Sequence, residues 1–205
     1  MKRLFLLTFV LFPALLASAQ ERSALEDFSG KLAAGTVSFQ YTFEVKGDVP
    51  MKGNGTAAMR GPLYHIAGNG MEIWCDARTR WIVDRSAKEA YIEAVDANVT
   101  DYLSNPATLL ISLNEAFETV ADKEVTLSGK KCRKVSMTPA IPDTGLESVA
   151  LFLDGSVPAR VEITVEDGTV TLFKISDFKV NEKSDVPFTF DIASLGPDYV
   201  VTDLR

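Results

Sequence analysis

Alternation of apolar and polar residues is the dominant pattern of this chain, and it predicts a protein built mainly from β-strands. From Val37 to Lys46 the apolar side chains fall on one face and the polar ones on the other, which is typical of a half-buried antiparallel strand. Similar runs recur, and Asp154-Gly155 and Asp167-Gly168 predict tight hairpins between them. The predicted strands are residues 36–46, 52–60, 63–67, 71–76, 81–84, 89–95, 124–127, 131–138, 146–153, 159–166 and 169–178.

Two stretches replace this alternation with helical spacing. Residues 23–34 carry apolar side chains on one helical face, and Gly35 predicts the end of that helix. Between the two sets of strands, residues 100–117 predict two short amphipathic helices that are separated at Asn105, with Pro106 in the first turn of the second. Evenly spaced strands with few helices favour one large antiparallel sheet or barrel that carries the helices on one side.

The first residues predict a secretory signal. Lys2 and Arg3 precede an apolar run over residues 4–16, and the small residues Ala17-Ser18-Ala19 follow it. The apolar run is shorter than the roughly 20 residues that cross a bilayer, so a retained membrane anchor is the less favoured interpretation. We therefore expect residues 1–19 to be cleaved and residues 20–205 to form one exported domain.

Composition limits the function classes. The chain has 28 acidic and 21 basic residues and a formal net charge of −7, which disfavours binding to nucleic acid. Its single histidine, His65, lies in an alternating segment without a supporting ligand cluster, and no nucleophile, zinc or phosphate-loop motif is present. The sequence therefore predicts no catalytic residue, no metal site, no cofactor and no enzyme.

The two cysteines, Cys75 and Cys132, lie in separate predicted strands. In an oxidising compartment an even number of cysteines is compatible with a disulfide, so this pair is a possible bridge. Two buried free thiols are the alternative, because sequence does not show whether the two Cα atoms come within bridging distance.

Three segments of the chain share their pattern with one known family. Residues 53–66 form a glycine-bearing strand that runs into Arg60, Pro62 and an aromatic residue, and residues 74–84 resemble an Asp-Gly-x-x-x-Trp hairpin with Ala77 in place of the glycine. The third segment is the closing Phe-x-Phe of residues 187–191 with the Val-x-Asp-x-Arg ending of residues 200–205. In order and spacing these segments resemble the LolA family of bacterial periplasmic lipoprotein carriers.

The resemblance implies both a fold and a function. The implied fold is mainly β, an incomplete, half-open antiparallel barrel of about eleven strands with helices as a lid over an apolar cavity. The implied function is a monomeric periplasmic carrier or chaperone that binds the acyl chains of lipoproteins noncovalently and passes them toward the outer membrane. An inner-membrane exporter and an outer-membrane acceptor would be its partners. Binding of another lipid or hydrophobic small molecule is the main alternative, and an interaction protein with a solid core is a further one.

The candidate residues follow from the strand faces and from the resemblance. By resemblance, Arg60 is the latch that holds the lid helices closed, and a strand arginine in an ordinary salt bridge is the alternative. The expected cavity lining is apolar or aromatic and comes from the strands and the lid, although the same residues could form a sealed core. It comprises Phe39, Tyr41, Phe43, Tyr64, Ile66, Trp81, Tyr91, Leu109, Leu110 and Leu113.

Overall fold

One twelve-stranded sheet forms the body of the protein. The structure, a computed structural model, describes residues 23–95, 102 and 106–205, without the side chains of 106–108. The predicted signal segment 1–19 lies outside these residues. The strands are β1 (Thr36–Lys46), β2 (Met51–Arg60), β3 (Leu63–Gly68), β4 (Met71–Cys75), β5 (Thr79–Asp84), β6 (Glu89–Ala94), β7 (Phe117–Leu127), β8 (Lys130–Pro139), β9 (Leu146–Asp154), β10 (Val157–Val165), β11 (Val170–Asn181) and β12 (Val200–Asp203).

The sheet is open, and almost all of its strands are antiparallel. The order is β12-β6-β5-β4-β3-β2-β1-β11-β10-β9-β8-β7, and only β12 runs parallel to its neighbour β6. Because β12 and β7 do not pair with each other, the barrel is not closed. The predicted incomplete barrel is confirmed, with twelve strands instead of about eleven. The sequence prediction missed β12, which has four residues and therefore little room for alternation.

The two faces of the sheet are covered differently. The inner face, defined here as the face that packs against the helices, carries the main hydrophobic core, which includes the fully buried Met137, Val149 and Leu151. The outer face is partly covered by the chain after β11. There the Phe190 ring stacks on Trp74 with ring centres 4.4 Å apart, beside the buried Val83.

The first helix, α1 (Ala24–Ala34), forms as predicted and ends before Gly35. A capping box begins it: the Glu26 backbone N–H donates to Ser23 Oγ at 3.1 Å, and the Ser23 N–H donates to Glu26 Oε2 at 2.8 Å. Its apolar face packs on the sheet, and the Phe28 ring centre lies 6.3 Å from that of Phe178. The helix therefore covers one end of the inner face.

The second helix, α2 (Pro106–Ser112), begins at the proline, as predicted. Of the first of the two expected helices, only Tyr102 is among the described residues, and the rest of that prediction lies outside them. The prediction that helical structure reaches Phe117 is wrong. The Ala116 N–H donates to the Ser112 carbonyl at 2.8 Å in a turn, and Phe117 then pairs with Pro139 as the first residue of β7.

The two cysteines are free thiols in the structure, so the possible disulfide is not formed. Cys75 lies on β4 and Cys132 on β8, and six strands stand between β4 and β8 in the sheet. They also face opposite ways. Cys75 belongs to the inner core, whereas Cys132 shares the outer face with Lys134, whose ammonium lies 5.1 Å from the centre of the Phe152 ring.

We expect Gly30→Ala to stabilise the protein. Gly30 is exposed in the middle of α1, and no heavy atom lies within 4 Å of the position that a Cβ would take. Alanine restricts the unfolded chain and favours helix, so the free energy of unfolding should rise by about 0.5–1 kcal/mol. Urea unfolding with an unchanged m value measures this, and a lower midpoint would contradict the description of α1.

Candidate functional site

A cavity of about 250 Å³ lies between the inner face of the sheet and α2. Its lining comes from β1, β2, β3, β10, β11 and α2, together with Tyr102. None of the lining residues carries a charge, and Thr171 is the only one that is neither apolar nor aromatic. The lining residues are Phe39, Tyr41, Ala57, Met59, Ile66, Tyr102, Leu109, Leu110, Val161, Ile163, Thr171, Phe173 and Ile175.

Aromatic side chains form a continuous series along the floor of the cavity. The ring centres of Phe39 and Phe178 lie 6.3 Å apart in a stacked arrangement, and Tyr41 lies 6.0 Å from Phe173 edge to face. Phe43 continues the series 6.1 Å from Phe173. Such pairs contribute beyond the area that they bury, so they hold a rigid apolar wall in place.

Glycines on β2 make room for these rings. Gly55 pairs with Tyr41, and a Cβ at Gly55 would lie 2.6 Å from Tyr41 Oη and 2.3 Å from the Ala67 carbonyl oxygen. Gly53 pairs with Phe43, and a Cβ there would lie 2.5 Å from the Phe43 ring. An aromatic ring is therefore in close contact with the backbone at each of these two glycines. Burial also raises the pKa of Tyr41.

A row of polar side chains lies beside the cavity on the inner face. Tyr64, Cys75, Arg80 and Glu93 are register partners across β3, β4, β5 and β6. Arg80 Nε and Nη2 donate to Glu93 Oε2 at 2.8 and 2.5 Å. Burial raises the pKa of the Cys75 thiol, and burial together with the neighbouring Cys75 raises the pKa of Tyr64 to about 12. At neutral pH the Tyr64 hydroxyl and the Cys75 thiol are therefore neutral, and Arg80 is paired with Glu93.

Half of the residues that the sequence predicts as cavity lining do line it: Phe39, Tyr41, Ile66, Leu109 and Leu110. Three others lie close by. Phe43 is half-buried just beyond the lining, and Tyr64 and Leu113 belong to the closed core. Contact of any of them with a ligand stays a prediction.

The structure places the remaining two predicted lining residues away from the cavity. Trp81 pairs with Trp74 on the outer face and packs in the small cluster that the C-terminal segment covers. Tyr91 lies on the inner face in one row with Ile66 and Ile82, but it is on β6, three strands beyond the lining strand β3. There its hydroxyl donates to Glu89 Oε2 at 2.7 Å. Alternation separated the faces of β5 and β6 without showing which was inner or how far the cavity extends.

Arg60 lies on the face opposite to the helices. It follows the cavity-lining Met59, and successive strand side chains point to opposite faces. Its guanidinium carbon lies 5.4 Å from the centre of the Phe188 ring, in the segment that covers the outer face. This placement gives Arg60 a cation–π contact on the outer face, and the latch role stays a prediction.

The sequence prediction missed the contribution of the second set of strands. Val161, Ile163, Phe173 and Ile175 line the cavity from β10 and β11. Their alternation marks a common face on each strand, but the pairing of β1 with β11 joins segments that are far apart in the chain. No local sequence pattern predicts that pairing.

Within residues 23–95, 102 and 106–205, no group of three or more His, Cys, Asp or Glu side chains is placed to hold a metal ion. His65 instead stacks on Trp74, with ring centres 4.6 Å apart. The helices in this part of the chain also lack the length and the apolar character needed to cross a membrane.

The arrangement is that of an open, largely antiparallel sheet whose inner face and short helices enclose an uncharged apolar cavity. No protein-family model matches the chain, and no curated protein matches its sequence. Among solved structures it is similar to an uncharacterized conserved protein from Thermus thermophilus, with 12% identity, a TM-score of 0.52, and coverage of 87% of this chain and 96% of that one. At this identity the similarity shows the fold alone.

Two further similar structures bear family names. One is the LolA superfamily protein NE2245 from Nitrosomonas europaea, with 11% identity, a TM-score of 0.45, and coverage of 82% of this chain and 96% of that one. The other is a putative outer membrane lipoprotein-sorting protein domain from Vibrio parahaemolyticus, with 12% identity, a TM-score of 0.40, and coverage of 77% and 93%. The LolA-like resemblance of the sequence motifs is thus accompanied by remote structural matches.

Proposed function

We propose that this protein is a non-enzymatic periplasmic carrier that binds the acyl chains of lipoproteins in the cavity and passes them toward the outer membrane. The observation that carries this proposal is the uncharged, largely apolar lining of a 250 Å³ space under α2. An apolar wall binds hydrocarbon by removing it from water, at about 0.8 kcal/mol per methylene, and needs no specific polar anchor. The resemblance of the three sequence segments to lipoprotein carriers supports the choice of cargo.

The size of the cavity fits a carrier that must release its cargo. Pockets for small ligands usually measure about 300–1,000 Å³, so a space of 250 Å³ holds part of one acyl chain at a time. Further hydrocarbon requires α2 to move, because Leu109 and Leu110 close the cavity from that side. The cost of moving the helix offsets part of the binding free energy and favours release.

We expect Ala57→Leu to weaken acyl-chain binding by at least about tenfold, because the added carbons occupy the cavity. Ala57 is buried and lines the cavity from β2. The matched control is Thr56→Leu, which adds an apolar side chain at the exposed neighbouring position on the outer face. Titration of delipidated protein with a fluorescent fatty acid measures the affinity. Equal affinities for Ala57→Leu, Thr56→Leu and the wild type would contradict the proposed site.

Binding of a free fatty acid or another single-chain lipid is the second candidate function, and the small volume of the cavity favours it. Competition against the fluorescent fatty acid separates the two candidates. A diacylated lipopeptide that displaces the probe at lower concentration than palmitate supports the lipoprotein carrier. Displacement by palmitate alone supports the second candidate. The inner-membrane exporter and the outer-membrane acceptor remain predicted partners under the first candidate.

A further inference from the structure

Three large apolar side chains are exposed at one end of the sheet. The turns β1–β2, β3–β4 and β10–β11 lie at this end, which we call the turn end. Val49 is 76% exposed, Met51 53% and Met71 42%. Exposed apolar side chains that are grouped in this way indicate a contact surface more than single ones do.

Contacts between the turns make the turn end one surface. The Asn69 side-chain oxygen in the β3–β4 turn accepts a hydrogen bond from the Asn54 N–H on β2 at 3.5 Å. On the other side, a Cβ at Gly47 would lie 2.8 Å from Thr169 Oγ1, so the β1–β2 and β10–β11 turns are in close contact. The turns that carry Val49 and Met71 are therefore both in contact with neighbouring parts of the turn end.

The turn end is directly continuous with the cavity. Val45 pairs with Thr171 on β11 and with Met51 on β2, so these three residues form one row across three strands of the inner face. Thr171 lines the cavity, Val45 is half-buried, and Met51 is exposed. Phe43 lies in the next row toward Tyr41 on the same face. An acyl chain that left the cavity along this row would meet no charged side chain before the turn end.

The charges around the turns restrict the partner. Asp48 and Asp167 lie beside Val49. The nearby Lys46 and Lys52 both lie close to Glu44, which is paired with Lys52 at 3.0 Å. Acidic neighbours repel a surface rich in phosphate monoesters or anionic lipid. A zwitterionic bilayer takes up apolar side chains without that repulsion, and the cavity beside the turns is built for hydrocarbon.

We propose that the turn end docks on a zwitterionic lipid bilayer, with Val49, Met51 and Met71 entering the headgroup region. Acyl chains then pass between the bilayer and the cavity along Val45 without crossing water. The passage step rests on the proposed carrier function, whereas the docking itself does not. Docking depends on burial of apolar area and so persists at high salt.

Flotation with vesicles of phosphatidylcholine and phosphatidylethanolamine tests the docking. We expect the wild type to float with them, and Val49→Asp/Met51→Asp to bind at least about tenfold more weakly. The matched control is Val120→Asp/Val200→Asp, which makes the same charge change at valines that are 62% and 65% exposed on β7 and β12. The control should bind as the wild type does.

Three results overturn the docking proposal: no flotation of the wild type, equal losses in the two double variants, or stronger binding to vesicles that contain phosphatidylglycerol. Titration with the fluorescent fatty acid in vesicle-free buffer separates this proposal from the carrier function. The Val49→Asp/Met51→Asp variant should bind the probe as the wild type does, because both positions lie outside the cavity lining. Absence of probe binding in every variant counts against the carrier function, and the flotation result then still decides the docking.

Discussion

Gly55→Ala is expected to lower the free energy of unfolding by about 2–3 kcal/mol, because the added methyl group overlaps two neighbours. Its Cβ would lie 2.3 Å from the Ala67 carbonyl oxygen, which is backbone of the paired strand, and 2.6 Å from Tyr41 Oη. The strand pairing must shift, and the Tyr41 ring must swing into the cavity. Urea unfolding measures the loss, and fatty-acid titration should show weaker binding in the same variant.

A double-mutant cycle separates the two overlaps in Gly55→Ala. Tyr41→Leu removes the ring but leaves the Ala67 carbonyl in place, so it should recover part of the stability that Gly55→Ala loses. Gly30→Ala in α1 serves as the opposite control, because the same chemical change meets no neighbour there. A Gly55→Ala protein with wild-type stability would show that the close contact of the Tyr41 ring with β2 is not required.

Alkaline conditions should destabilise the protein through Tyr64. Burial, with the nearby Cys75, raises the pKa of the native Tyr64 hydroxyl from 10.0 to about 12. Between these values the unfolded chain releases the proton first, so stability is unaffected below about pH 10 and falls progressively as the pH rises to 12. Two pKa units correspond to about 3 kcal/mol. Denaturant unfolding at pH 8, 10 and 11.5 measures the loss.

The Tyr64→Phe variant isolates this contribution from the other titrating groups. Phenylalanine keeps the buried ring and removes the ionisable hydroxyl, so the variant should lose less stability between pH 10 and 12 than the wild type. At pH 8 the two proteins should differ by about 1 kcal/mol or less, the usual net value of one hydrogen-bonding group. Parallel losses in both proteins over the alkaline range would contradict the assignment to Tyr64.

The sequence predicted which elements form more accurately than it predicted where they begin and which strands pair. Alternation in β1 and the capping residues before α1 are local signals, and both elements form where they were expected. The start of β7 was missed because residues 117–123 mix apolar and charged residues without a clear period, and a turn after α2 changes the chain direction there. β12 was missed because its pairing with β6 stabilises it more than its own four residues do.

The candidate site was also predicted in part, because its lining depends both on local alternation and on long-range strand pairing. Phe39, Tyr41 and Ile66 line the cavity because alternation correctly grouped each strand face. Alternation does not show which face is inner, and Trp81 consequently belongs to the outer cluster. The lining from β10 and β11 depends on long-range pairing with β1, which no local pattern reveals.

Arg60 lies in a motif that is shared with the carrier family, but the contact that it makes here was not predicted by that motif. The segment before Pro62 resembles that of the carrier family, yet the guanidinium stacks on Phe188 because the C-terminal segment covers the outer face. Arg80, in contrast, lies on the inner face, donates to Glu93 and lies beside Tyr64. We expect Arg60→Leu to leave fatty-acid affinity within about twofold of the wild type. A larger change would support the predicted latch role of Arg60.

Photolabelling shows directly whether the space under α2 holds an acyl chain. A fatty acid that carries a diazirine near its methyl end is bound to the delipidated protein, crosslinked by light, and located by tandem mass spectrometry. We predict adducts on residues 39–41, 57–66 and 161–175, which contain most of the lining, and their loss in the presence of excess palmitate or diacylated lipopeptide. Adducts confined to outer-face residues such as Trp74 and Phe190, or adducts that competitor does not reduce, would contradict binding in this space.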